Sequence, residues 1–116
     1  MALDFRAVYA GRDLAPWVST LAGRSGVYLI REKSDFHPLE GGIVYVGESH
    51  TGRMKKTLLR HFQRWSGKTA GPTFNPDKIE VAVLRCHPFK ALDLQNRLIK
   101  KYRPPFNVIG KPEDPF

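Results

Sequence analysis

The 116-residue chain holds a single cysteine, Cys86, so no disulfide can form within it, which suits a reducing cytosol. A lone thiol reads first as a small packed residue and only then as a nucleophile. No apolar run approaches the roughly eighteen residues of a membrane span, and the N-terminus has no signal-peptide core. Internal repeats, low-complexity tracts and an interdomain linker are all missing. One sign of charge is locally missing too. Between Glu48 and Asp77 there is no acidic residue, while Arg53, Lys55, Lys56, Arg60, Arg64 and Lys68 fall inside that window.

Apolar residues make up 41% of the chain and aromatic residues 11%, a globular composition. The length suits one domain over residues 1–116, with a modest core that needs no covalent staple. The net charge of +8 points to a polyanionic partner, of which nucleic acid is the commonest. A solvated helix face normally mixes both signs, so the unmixed basic stretch strengthens that reading. No membrane is needed to explain it.

Two short tyrosine-bearing runs organise the chain. Gly26-Val27-Tyr28 opens the apolar run through Ile30, and Val44-Tyr45-Val46-Gly47 follows a polar connection with Pro38 and Gly41-Gly42. Both are β-branched, aromatic and bounded by glycine, the signature of strands joined by turn chemistry. Before them, Phe5, Val8 and Tyr9 are expected to add an edge strand or a lead-in. Asp13 is expected to cap a helix through Leu21, with Pro16 in its first turn. After them, Glu48 to Gly52 reads as a loop, and Gly52 to Trp65 as an amphipathic helix. Its core stripe is Met54, Leu58, Phe62 and Trp65; its cationic face is Arg53, Lys56, Arg60 and Arg64. Thr57 and His61 lie on the border, turned towards Arg53.

Residues 66–77 read as a loop, Lys78 to Cys86 as a third strand, and Pro88 to about Tyr102 as a second helix. The prolines at 104 and 105 stop that helix, and the tail beyond Asn107 is expected to fray. The buried stripe of the helix is Ala91, Leu94, Leu98, Ile99 and Tyr102. Gln95 sits within it, either as a satisfied core amide or as a polar group aimed at a site.

This arrangement resembles the GIY-YIG nuclease family. The two name-giving motifs appear as Gly26-Val27-Tyr28 and Tyr45-Val46-Gly47. The basic helix with Arg53 and His61 follows, and the second helix leads into Tyr102-Arg103-Pro104-Pro105-Phe106-Asn107. The resemblance implies an α+β sandwich of order ββαβα with an N-terminal extension and a core of about residues 24–108. Its centre would be a small three-stranded antiparallel sheet flanked by helices. It also implies hydrolysis of DNA phosphodiesters with one divalent ion, Mg2+ or Mn2+.

By that resemblance Tyr28 would activate or position the water, a role that needs nearby cations or metal to favour its phenolate. Tyr45 would hold Tyr28 or the phosphate, and Arg53 would pair with the scissile phosphate ahead of Arg60. His61 would assist by proton transfer or a phosphate contact. Gly26 and Gly47 would shape the site, and Asn107 would fix the end of the second helix beside it. Lys55, Lys56, Arg60, Arg64 and Lys68 would bind DNA.

The family's metal-holding glutamate falls at Gln95, a neutral amide and a poor ligand for a hard cation. Asp93 lies on another side of the helix. The form with Gln95 is therefore expected to be impaired or inactive, whether weakened by nature or by replacement of a glutamate. A non-cleaving DNA-binding module on the same fold is the alternative, and an unrelated basic RNA-binding domain a third. Specificity would come from the loops, from a homodimer or from a separate partner. Phe36, His37, Trp65 and Phe74 are candidates for base contacts, with packing the first expectation for each.

Overall fold

The computed structural model describes residues 3–33, 42–62 and 73–109. Its centre is a three-stranded antiparallel sheet of β3 (Gly26–Glu32), β4 (Ile43–Ser49) and β5 (Ile79–Arg85), in the order β4-β3-β5. The first tyrosine motif thus lies on the middle strand. A middle strand is covered on both faces and reads as a continuous apolar run, and Gly26 to Ile30 are all buried. A register shift between Ile30 and Arg31 marks a bulge against β4, which turns both Val44 and Tyr45 towards the same core.

The two faces of the sheet are covered differently. On one face Tyr28, Ile30, Val44 and Val81 pack with Met54 and Leu58 of α2 (Met54–Leu59). On the other, Val27, Leu29, Ile43 and Val46 meet Leu94, Leu98, Ile99 and Tyr102 of α3 (Pro88–Tyr102). The second helix keeps its expected limits: Pro88 stands in its first turn, and Arg103 closes it in the left-handed conformation with φ 47°. The residue before Pro104 cannot readily stay helical. A further short helix, α4 (Pro105–Ile109), follows at once. The sequence reading did not anticipate it, and it carries Asn107.

The N-terminal extension departs from expectation. Tyr9–Ala10 (β1) and Asp13–Leu14 (β2) form a small hairpin, and the helix α1 is confined to Pro16–Ser19. Gly11, at φ +67°, makes the turn that brings Asp13 opposite Ala10, so Asp13 is a strand residue and not a cap. The extension is packed into the fold: Val8, Val18 and Leu21 are buried within the α2-side core. Arg6 extends the sheet by a bridge to Val81, with backbone hydrogen bonds of 2.9 and 2.8 Å.

The basic helix is shorter than its periodicity suggested. After Leu59 the chain tightens into a 3-10 turn over Arg60–Phe62. Met54 and Leu58 are buried as expected; Trp65, Arg64, Lys68, Phe36 and His37 lie outside the described residues. Among the described residues no helix is long and apolar enough to cross a membrane.

Candidate active site

The site is built where the two tyrosine motifs cross. In antiparallel register Tyr28 stands opposite Gly47, and the Tyr28 ring lies over that glycine. A Cβ at Gly47 would come within 2.2 Å of Tyr28 Cζ and 2.3 Å of its Oη. The glycine of one motif is therefore the space occupied by the tyrosine of the other. Gly26 is constrained in the same way: a Cβ there would meet the Leu84 carbonyl oxygen at 2.3 Å and Met54 Cε at 2.8 Å.

From its place over Gly47, Tyr28 Oη reaches His61 Nε2 at 2.7 Å. The 3-10 turn brings His61 inward. Sequence periodicity set it on the border of the helix, but it is only 3% exposed, because tightening the last turn rotates it off the border and under the sheet. Its carbonyl accepts from the Phe74 amide. The Tyr45 ring stacks at a tilt 4.8 Å from the imidazole and 6.3 Å from Tyr28. Phe74 closes the far side, 6.0 Å from His61 and edge-on to Phe106 at 5.2 Å. Phe74 is thus a wall residue, which settles it on the packing side.

Burial pushes the Tyr28 phenol well above its ordinary range, Tyr45 and Glu48 push it further, and the Arg60 guanidinium pulls the other way. Tyr45 is raised as well, by burial and then by Glu48. The protein groups around Tyr28 thus favour the neutral phenol over the phenolate. Its hydroxyl proton has an acceptor within reach in His61 Nε2 when the imidazole is neutral. Burial likewise raises the thiol of the half-buried Cys86.

The cationic groups divide. Arg60 is half-buried and its charge acts on Tyr28. Arg53 is exposed at the head of α2, its amide N–H donating to Ser49 Oγ at 3.1 Å. Lys56 is exposed and Lys55 half-buried. The Arg60 charge thus acts on Tyr28, while the Arg53 side chain stands in solvent.

Behind the site, two amides grip the outer edge of β4. Asn107 Oδ1 accepts from the Val46 amide at 2.7 Å, and Asn107 Nδ2 donates to the Val46 carbonyl at 2.9 Å. One side chain therefore gives an edge strand both hydrogen bonds that a further strand would give. Gln95 Nε2 donates to the same carbonyl at 3.3 Å. The glutamine thus has a partner, as a core amide must.

Glu48 is the group that the sequence reading missed, having left it in a loop. It lies on β4 directly after Gly47, pairs across the strands with Val27, and its carboxylate is 15% exposed. The signal was present: it is the last acidic residue before the long basic stretch.

Comparison with known proteins agrees with this geometry. Residues 24–108 match the model of the UvrC-like GIY-YIG domain. The UvrABC system protein C of Methylococcus capsulatus is 34% identical over 101 residues, covering 85% of this chain and 15% of that protein. That of Vibrio cholerae is 32% identical over 99 residues, covering 84% and 15%. That of Caldanaerobacter subterraneus is 30% identical over 108 residues, covering 85% and 15%. The chain therefore spans 15% of the length of these relatives.

Proposed function

The chain belongs to the UvrC-like GIY-YIG domain family, and from that membership we propose that it is a DNA endonuclease domain hydrolysing phosphodiester bonds. The observation that carries this reading is the buried 2.7 Å contact between Tyr28 Oη and His61 Nε2. A phenol held neutral at physiological pH is a poor base by itself. Paired with a neutral imidazole it becomes a relay. As water attacks phosphorus, Tyr28 Oη takes a proton from it while the phenol proton passes to His61 Nε2. One P–O bond forms, the bond to the departing sugar oxygen breaks, and that oxygen leaves as an alkoxide that takes its proton from solvent. Arg60 and the exposed Arg53 and Lys56 offset the charge that gathers on the phosphoryl oxygens.

GIY-YIG nucleases are generally metal-dependent. Gln95 does not fit a resident cation: the side chain is neutral, and its nitrogen already donates to the Val46 carbonyl. Only one amide oxygen remains there, a weak partner for a hard ion. No step is routed through that position, and chemistry that depended on it would be impaired. The same observation favours a second reading, a DNA-binding module that does not cut.

Nicking of supercoiled plasmid with Mg2+ or Mn2+ separates the two. Tyr28→Phe and His61→Ala should each slow nicking by about 10²–10⁴-fold, the usual worth of a positioned proton acceptor, while DNA is still bound. If the unaltered chain retains DNA and never nicks it, the binding-module reading replaces the nuclease.

A further inference from the structure

At the end of the sheet where β3 begins, three segments come together, each drawn from a stretch without an acidic residue. The stretches are 14–31, 49–76 and 81–92. Residues 23–25 join the segments through backbone and hydroxyl contacts. Ser25 Oγ accepts from the Gly52 amide at 3.1 Å, and the Arg24 carbonyl accepts from the Met54 amide at 3.2 Å. They are therefore seated on the head of α2, where Arg53 is exposed. The Ser25 carbonyl also accepts from the Cys86 amide at 3.2 Å, where β5 leads into α3.

A shallow cleft of about 350 Å³ lies at this junction, lined in part by Arg24, Ser25, Arg85 and Pro88. Both arginines are exposed. The Arg85 guanidinium is held in place by donating to Thr20 Oγ1 at 3.0 Å. Next in the chain to Pro88, Phe89 is 91% exposed, its ring 5.0 Å from that of His87. Phe89 stands apart from the side chains that α3 packs against the sheet, so the core does not account for it, and exposed Lys90 follows. The carboxylate felt at Cys86 is that of Glu48, which is only 15% exposed and lies 2.9 Å from His50 Nδ1. Cations that follow a phosphate backbone, beside an aromatic ring open to solvent, are the elements of a single-strand binding surface. A protein partner would use the ring but has no need of a basic surface continuous with Arg53.

Resting on the endonuclease reading, we propose that Arg24, Arg85 and Phe89 form a subsite for a single-stranded stretch of DNA flanking the phosphate to be cut. The arginines take its phosphates, and Phe89 stacks on an unpaired base. A base inside a duplex already has both faces covered by its neighbours, so a protruding ring serves an unpaired one. Stacking tolerates every base, and the subsite therefore selects strand structure and not sequence.

The test is fluorescence anisotropy of the whole chain with a labelled duplex bearing a single-stranded overhang, beside a blunt duplex, both in EDTA. Phe89→Ala should weaken the overhang DNA by at least about fivefold, the low end of what an aromatic platform contributes per stacked base. It should leave the blunt duplex within about twofold, and Phe89→Trp should keep the parent's affinity for both, since a larger ring stacks as well. Arg24→Ala and Arg85→Ala should each reduce the salt slope of overhang binding by about 0.7–0.9, the worth of one phosphate contact. Lys100→Ala removes the same charge about 15 Å further along α3 than Lys90 and should leave that slope unchanged. The proposal is overturned if Phe89→Ala binds the overhang DNA like its parent, which would leave Phe89 as a surface for a protein. It is overturned too if the blunt duplex weakens equally, or if Lys100→Ala changes the slope as much as the two arginine variants. Plasmid nicking separates the two failures. A chain that never nicks yet holds overhang DNA through Phe89 loses the endonuclease reading and keeps the subsite. A chain that nicks and binds overhang DNA equally well after Phe89→Ala keeps the activity and loses the subsite.

Discussion

The two faces of the central sheet are made from the same strands, yet they do different work. Towards α3 the sheet offers Val27, Leu29, Ile43 and Val46, an aliphatic surface matched by Leu94, Leu98 and Ile99. Towards α2 it offers Tyr45 and the Tyr28 ring seated over Gly47, met by His61 and Phe74. The first face holds the fold by burial alone. The second buries polar atoms, which is tolerable only because Tyr28 and His61 satisfy one another. Polar atoms placed in a core are expensive, and their presence on one face only marks where chemistry is expected.

The largest expected effect falls on the aliphatic face. Leu29 is fully buried in the middle strand, and Leu29→Ala should cost about 2–5 kcal/mol of stability, read as a lower urea midpoint. Where the variant remains folded, nicking per folded molecule should stay near that of the unaltered chain. A fall in rate beyond the loss of folded protein would show that the two faces are not separable.

Gly47→Ala attacks the other face. The new methyl would overlap the Tyr28 ring at 2.2 Å, and backbone on one side with a packed phenol on the other leaves little room to yield. An overpacked core typically loses about 1–3 kcal/mol. Here the displaced group is the proposed proton acceptor, so nicking should drop far more than the stability loss explains. Equal losses in rate and folded fraction would mean that Tyr28 need not lie over Gly47.

How much of this was legible beforehand follows the range of the forces involved. The two tyrosine strands, the third strand and the Pro88–Tyr102 helix rest on local pattern and capping, and the sequence carried them. His61 turned inward because the helix tightens at Arg60, a choice made by packing against Tyr45 and Phe74 and not by the 3.6-residue period. Asn107 was placed near the site by resemblance, but its double grip on Val46 depends on β4 being an edge strand, which no local pattern states. Glu48 was overlooked because a charged residue next to a turn glycine looks like a loop until the register places it opposite Val27.

The rim between the faces gives a graded pair. Asn107→Ala removes the acceptor of the Val46 N–H and lets the Val46 carbonyl fall back on Gln95, at an expected cost of about 1–3 kcal/mol. Gln95→Ala removes one long bond to a carbonyl that Asn107 still satisfies, and should cost about 0.5–1.5 kcal/mol. Urea midpoints measure both, and a larger loss for Gln95→Ala would move the clamp from α4 to α3.

The smallest effect at neutral pH is the most specific to one face. In the fold the Tyr28 phenol is raised well above its ordinary range by burial, Tyr45 and Glu48, and Tyr45 is raised too. An unfolded tyrosine ionises near pH 10. Below that value both states keep the proton, and the contribution to stability is fully present. Above it the unfolded chain releases a proton that the folded chain retains, so unfolding is favoured and stability falls as pH rises. Urea midpoints taken from pH 8 to pH 11 should therefore be flat at first and decline above about pH 10. Tyr28→Phe should shallow that decline. Leu29→Ala should lower the whole curve and leave its slope alone, because it leaves Tyr28 and Tyr45 in their buried places on the other face. An unchanged slope in Tyr28→Phe would mean that this phenol is not what alkali attacks, and the contrast between a chemical and a structural face would lose its electrostatic support.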